Sequence, residues 1–231
     1  MPHTFLLIGG NSGVGLATAR LLHSQGDSLV AAARNPAPLA DLGIPVQPFD
    51  ATSPPSLELP PVLDGLIYFP GSITLKPFNR LTTADFLHDL QVNLLGAVSA
   101  IQSALPALKA SPSASIILFS TVAAAQGMPF HASIAAAKGA VEALALSLAA
   151  ELAPKIRVNV IAPSLTDTPL ASTLLNSDAK REASAKRHPL QQVGNPDDVA
   201  ALAAFLLSDA SRFITGQILR PDGGLSSVRT F

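Results

Sequence analysis

Thr4-Phe5-Leu6-Leu7-Ile8-Gly9-Gly10-Asn11-Ser12-Gly13-Val14-Gly15 runs from a short apolar stretch into closely spaced glycines. The first five residues read as a buried strand. From Gly13 to Gln25 the apolar residues Val14, Leu16, Ala17, Leu21 and Leu22 recur at helical spacing, and the pattern stops at Gly26. A strand, a glycine turn and a helix therefore follow one another. Gly9, Gly13 and Gly15 allow a tight turn, a close approach of backbone to a ligand and close packing of helix on sheet. The exposed amides of Asn11, Ser12, Gly13 and Val14 at the helix start favour a phosphate charge. In this context the turn reads as a dinucleotide-binding loop.

The same rhythm continues outward from that turn. Apolar runs at Ser28–Ala33, Val46–Phe49, Gly65–Phe69, Ser115–Phe119, Arg157–Ile161 and Gln217–Arg220 read as strands. Helical patterns fall at Ala84–Leu108, with a disturbance near Asn93 and Gly96, at Ala132–Ala153 and at Pro196–Ser208, with Asn195 as N-cap. The proline-rich stretch from Ser53 to Pro61 reads as a surface connection. Strand and helix alternate throughout, which predicts an α/β chain: a doubly wound parallel sheet with helices on both faces, in three layers. The expected arrangement is one domain over residues 1–231. In such sheets the ligand lies beyond the carboxyl ends of the strands, so the residues that follow each strand carry the functional reading.

Composition narrows the classes. The chain has 231 residues, no cysteine and a formal net charge of -1. Thiol chemistry, disulfides and cysteine-held metals are excluded, and no metal site is expected. A nucleic-acid partner is not expected, because no basic stripe stands out. Neither a signal peptide nor a membrane span is read, so a cytoplasmic protein acting on a small molecule is the expectation.

Arg34 follows the second strand, where an acid would bond a ribose 2′-hydroxyl; an arginine there can meet a 2′-phosphate instead. That points to NADP(H) rather than NAD(H). Asp50 and Ala51 follow the third strand and are read as adenine contacts, with a loop-capping role for Asp50 an even alternative.

These ordered motifs resemble the short-chain dehydrogenase/reductase family, with its Rossmann fold. The resemblance covers nearly the whole chain. Its glycine signature matches residues 8–15, and Tyr68-Phe69-Pro70-Gly71 stands in altered form at the fourth strand. Val158-Asn159-Val160-Ile161-Ala162-Pro163 is similar to the run before the nicotinamide, with Ser164 where glycine is usual, and Thr166 and Thr168 follow. The resemblance implies cofactor contacts at Pro70, Gly71, Pro163, Thr166, Thr168 and Lys138. It implies hydride transfer on a carbonyl or alcohol, with Asn93, Thr121 and Lys138 as catalytic residues and Ser120 as a fallback for Thr121. The family's tyrosine falls on Ile134, four residues before Lys138 and thirteen after Thr121. Isoleucine carries no transferable proton. His131, near the same helix start, is the substitute acid to consider, beside a plainer role as an exposed or capping histidine.

Residues 165–192 lie where the family has its substrate lid. They hold Lys180, Arg181, Lys186, Arg187 and His188. A basic lid favours an anionic substrate, although an exposed helix carries such charges as a matter of course. The helices at Ala132–Ala153 and Ala84–Leu108 are apolar on nearly every side, which predicts a homodimer or homotetramer built through them.

Overall fold

The computed structural model describes residues 2–53 and 56–229. The connection from Ser53 to Pro61 therefore lies partly outside the described residues. Seven strands form one parallel sheet: β1 (Thr4–Ile8), β2 (Ser28–Ala33), β3 (Val46–Pro48), β4 (Gly65–Tyr68), β5 (Ala114–Phe119), β6 (Ile156–Ile161) and β7 (Ile218–Leu219). Their order is β3-β2-β1-β4-β5-β6-β7. The chain turns from leftward to rightward winding between β1 and β4, which are paired from Phe5 with Gly65 to Ile8 with Tyr68. That reversal opens the crevice in which ligands of doubly wound sheets sit.

Alternation within each strand builds two cores. Leu6, Ile8, Leu66, Tyr68, Ile116 and Val158 face one side. There they meet α4 (Gly96–Ala110) and α5 (Ala132–Leu152) through Ala97, Ala100, Ala104, Val141 and Ala145. Phe5, Leu7, Ile67, Ile117 and Ile161 face the other side. Ala19 and Leu22 of α1 (Gly13–Ser24) and Val199, Ala203 and Leu206 of α7 (Pro196–Leu207) cover them. The many alanines have a physical use here, since a helix with small side chains lies close to a sheet. The three-layer α/β arrangement expected from the pattern is the one observed.

The disturbed helix takes a defined form. Its first part, α3 (Thr83–Leu90), opens on a capping box: Thr82 Oγ1 accepts from the Asp85 amide at 3.3 Å and Asp85 accepts from the Thr82 amide at 2.9 Å. One π turn, Gln91–Leu95, then widens the helix before α4 resumes at Gly96. A Cβ at Gly96 would overlap the Tyr68 hydroxyl, so only glycine fits. Asn195 caps α7 by accepting from the Asp197 amide at 3.0 Å. The pattern left two short α-helices undetected, α2 (Ala37–Ala40) and α6 (Asp178–Ala185). Both are too short for periodicity to single out.

By length and composition α5 is apolar enough to cross a membrane. In the fold it lies against the sheet and buries eight residues, Lys138 among them.

Candidate active site

The carboxyl ends of the strands converge on one cleft of about 1000 Å³. Its floor begins at the glycine turn. Gly9 and Gly13 have φ of 77° and 50°, which L side chains rarely adopt. A Cβ at Gly15 would lie 2.9 Å from both Gly10 Cα and Gly9 O, so the turn has no room for one. Ser12 is extended, and its side chain caps none of the first-turn amides of α1. This leaves a bare helix start, with its first amides uncapped by a side chain and available to an anion. Asn11, Ser12 and Val14 line the cleft beside the three glycines.

Two further loops close around that turn. Pro70 packs on Gly9, whose missing Cβ would fall 2.9 Å from Pro70 Cδ. Thr168 packs on Gly13, with its Cγ2 at 3.0 Å from the equivalent position. The loops after β4 and β6 thus meet the turn after β1, although they are far apart in sequence. Pro163 and Thr166 lie in the same wall, and Thr166 Oγ1 donates to Ser164 O at 3.1 Å.

Arg34, Asp50 and Ala51 line the other end of the cleft. Asp50 also caps its own loop: Oδ1 accepts from Thr52 N at 2.8 Å and from Thr52 Oγ1 at 2.7 Å. Those bonds hold its carboxyl below the usual range, with Arg34 adding a smaller effect. The capping reading therefore holds, and the carboxylate still faces the cleft. The residues at this end and at the glycine turn fit an adenine dinucleotide with a bare helix start for its diphosphate.

Lys138, Thr121, His131 and Ile134 line the middle of the cleft. Lys138 is buried, and its Nζ donates to Phe119 O at 2.8 Å. Burial pulls its pKa down to about 8, against the opposing pull of Asp89. Thr121 Oγ1 accepts from Ala123 N at 3.3 Å, which leaves its own proton free to donate. Ser120 also lines the cleft, but its hydroxyl donates to Glu142 at 2.6 Å. Thr121, rather than the fallback Ser120, presents a free hydroxyl. His131 precedes α5 and holds Pro129 O at 2.7 Å through Nδ1. Ile134 sits on the first turn of α5, 5% exposed.

Asn93 alone among the sequence candidates stands behind the cleft lining. It is 1% exposed, within the π turn. Its Nδ2 donates to Ser72 Oγ and to Asp89 O, both at 2.8 Å, while Oδ1 has no partner. Gly71 separates it from the lysine: a Cβ there would lie 3.3 Å from Asn93 Oδ1 and 3.6 Å from Lys138 Nζ. An unpaired buried acceptor beside an ammonium is a place for an ordered water.

Two groups escaped the sequence reading. Asp89 is fully buried behind Lys138, accepting from Ser72 at 2.6 Å and Thr74 at 2.9 Å. It lies in an ordinary helical pattern, and nothing local marks it. His188 reads as one lid charge among five, yet it is 3% exposed. Its Nδ1 lies 2.9 Å from Ser184 O and its Nε2 2.9 Å from Ser164 Oγ. Since a carbonyl only accepts, Nδ1 carries a proton and donates to Ser184 O.

A family model described as enoyl-(acyl carrier protein) reductase matches residues 8–226. A tropinone reductase homologue of Arabidopsis thaliana is 40% identical over 157 residues, which is 68% of this chain and 60% of that protein. The match thus spans less than two thirds of that relative's length. The 3-oxoacyl-(acyl-carrier-protein) reductase FabG of Thermotoga maritima is 30% identical over 95% of this chain and 96% of that one. The ligand-free aldohexose dehydrogenase of Thermoplasma acidophilum superposes with a TM-score of 0.87 at 26% identity, covering 100% of this chain and 97% of the other. The chain belongs to the short-chain dehydrogenase/reductase family, whose members bind a nicotinamide dinucleotide.

Proposed function

We propose that the protein is an NADP(H)-dependent oxidoreductase that interconverts a small carbonyl compound and its alcohol with a non-standard proton donor. One observation carries the reading: a single cleft joins the bare helix start at Gly13 to Thr121 and Lys138. The relatives' names, as reductases and a dehydrogenase, agree with it.

When bound, the nicotinamide supplies or accepts a hydride; the rest falls to the chain's own groups. The glycine turn and the α1 amides hold the diphosphate. Arg34 meets the 2′-phosphate, with NAD(H) the poorer ligand. Asp50 and Ala51 border the adenine, while Pro70, Gly71, Pro163, Thr166 and Thr168 hold the nicotinamide half. Thr121 donates a hydrogen bond to the substrate oxygen, and Lys138 places positive charge beside it. Asn93 holds the water behind Lys138. His131 gives the oxygen its proton on reduction. Residues 165–192 serve as the substrate lid within one 1–231 domain. We place the protein in the cytoplasm, as a homodimer or homotetramer through α4 and α5.

Ile134 favours a second reading, a dinucleotide-binding protein without turnover. General acid–base help is worth about 10²–10⁴ in rate, and an aliphatic side chain supplies none. Calorimetry with NADPH and NADH, followed by NADPH consumption over a panel of ketones, quinones and imines, separates the two. Turnover abolished by His131→Ala supports the enzyme. Tight NADPH binding with no turnover supports the silent protein. No binding of either nucleotide by folded material overturns both.

A further inference from the structure

Helix α6 turns one stripe of its surface to the cleft. Lys180, Ala183, Ser184 and Arg187 line the cleft. Spacings of three, four and seven place them on one helical face. Arg187 lies on the closing turn, where its amide donates to Ser184 O at 3.2 Å. The other cations of this segment are engaged elsewhere. Arg181 pairs with Asp167 at 2.5 Å, and Lys186 pairs with Glu182 at 2.6 Å. Among the described residues, no carboxylate pairs with Lys180 or Arg187; Lys180 Nζ reaches Thr173 O at 3.3 Å. Among the described residues, the only carboxylate in the cleft lining is Asp50, beside Arg34 at the opposite end.

A merely solvated helix would scatter its charges or pair them, as Arg181, Glu182 and Lys186 do. Here the two unpaired cations share the cleft side, with small side chains between them. The same cleft is lined by apolar side chains, among them Met128, Ile134, Leu165, Leu170 and Leu174. Cations of one sign over low-dielectric walls concentrate potential inside the cleft.

We propose that Lys180 and Arg187 form an anion-recognition site and that the substrate is an amphiphilic acid. Its reacting carbon sits on an apolar body, and its far end carries a carboxylate or another oxyanion. Arg187 supplies a planar fork for that group and Lys180 a compact charge. The proposal rests on reading this cleft as the substrate site.

The test is calorimetric titration of octanoate and its neutral counterpart octanamide into the protein saturated with NADPH. Octanoate is expected to bind at least about tenfold more tightly, a preference that fades at high salt. A variant combining Lys180→Ala and Arg187→Ala should lose the preference while keeping octanamide affinity. A control combining Arg181→Ala and Lys186→Ala should keep the preference. Equal affinity for both probes, or binding of neither, overturns the proposal. So does a Lys180→Ala, Arg187→Ala variant that loses NADPH affinity yet retains the octanoate preference, because the cations would then serve the dinucleotide. The same titrations on the protein alone read the preference whether or not NADPH binds, so failure of the redox reading is seen separately.

Discussion

Lys138 reaches from α5 to the end of β5, where its Nζ donates to the Phe119 carbonyl at 2.8 Å. The bond tethers the ammonium at the floor of the cleft, out of bulk water. Burial therefore favours the neutral amine, and Asp89 only partly offsets this.

A stability profile follows from that tether. The Lys138 pKa falls from 10.5 to about 8 on folding, so between those values the unfolded chain binds more protons than the folded one. Stability then rises with pH across that window, by up to about 3 kcal/mol from this group, and is flat below it. The expected result in urea unfolding is a rise for the wild type from pH 8 towards 10.5 that Lys138→Met lacks. Matching profiles would contradict the buried ammonium. Tyr68 is common to both proteins and drops out of the difference.

Tyr68 is the chain's only tyrosine. Its hydroxyl donates to Val92 O at 2.6 Å inside the π turn, and burial raises its pKa above the ordinary value. Tyrosinate absorbance should therefore stay absent in the folded protein near pH ~10, where a free phenol is half ionised, and appear on unfolding. Tyr68→Phe should cost about 1–3 kcal/mol, because the Val92 carbonyl loses its partner. A normal spectrophotometric titration in folded material would refute this placement.

Gly15→Ala should weaken NADPH binding by about tenfold or more in calorimetry, since the phosphate turn must open. The added Cβ would meet backbone atoms at 2.9 Å on two sides, which cannot swing away as a side chain can. Gly139→Ala serves as the control, for nothing lies within 4 Å of its missing Cβ. Equal affinity in the two variants would place the dinucleotide elsewhere.

Ile134→Tyr puts a phenol on the first turn of α5, four residues ahead of Lys138. With His131 as the donor, carbonyl reduction should stay unchanged or fall, whereas a rise of up to about 10²-fold would favour the silent reading, in which the cleft lacks only a positioned acid. An unchanged or lower rate in a variant that still binds NADPH would show that the wild-type donor already suffices.

Much of this protein is legible along the chain. The strand pattern around Thr4–Ile8 and Gly65–Phe69 foretells the parallel sheet, because a short continuous apolar run, buried on both faces, is a local property. The glycines at 9, 13 and 15 foretell the tight turn, because positive φ and missing Cβ atoms are local too. Asn93 marks its own disturbance of the helix, which takes the form of a π turn.

What a side chain faces is another matter. Ser120 and Thr121 are neighbours in sequence and both line the cleft, yet one commits its hydroxyl proton to Glu142 on α5 and the other keeps its proton free. Asp89 and His188 look like surface charges until packing buries the first behind Lys138 and the second against Ser164. Five basic residues of the lid separate into paired, buried and cleft-facing groups only once α6 is laid over the strand ends. The sequence alone determined the sheet, its long helices and the glycine turn, since these depend on periodicity and backbone freedom within a few residues. The tertiary structure decided which charges meet water, carboxylates or the cleft, since that depends on contacts between segments tens of residues apart.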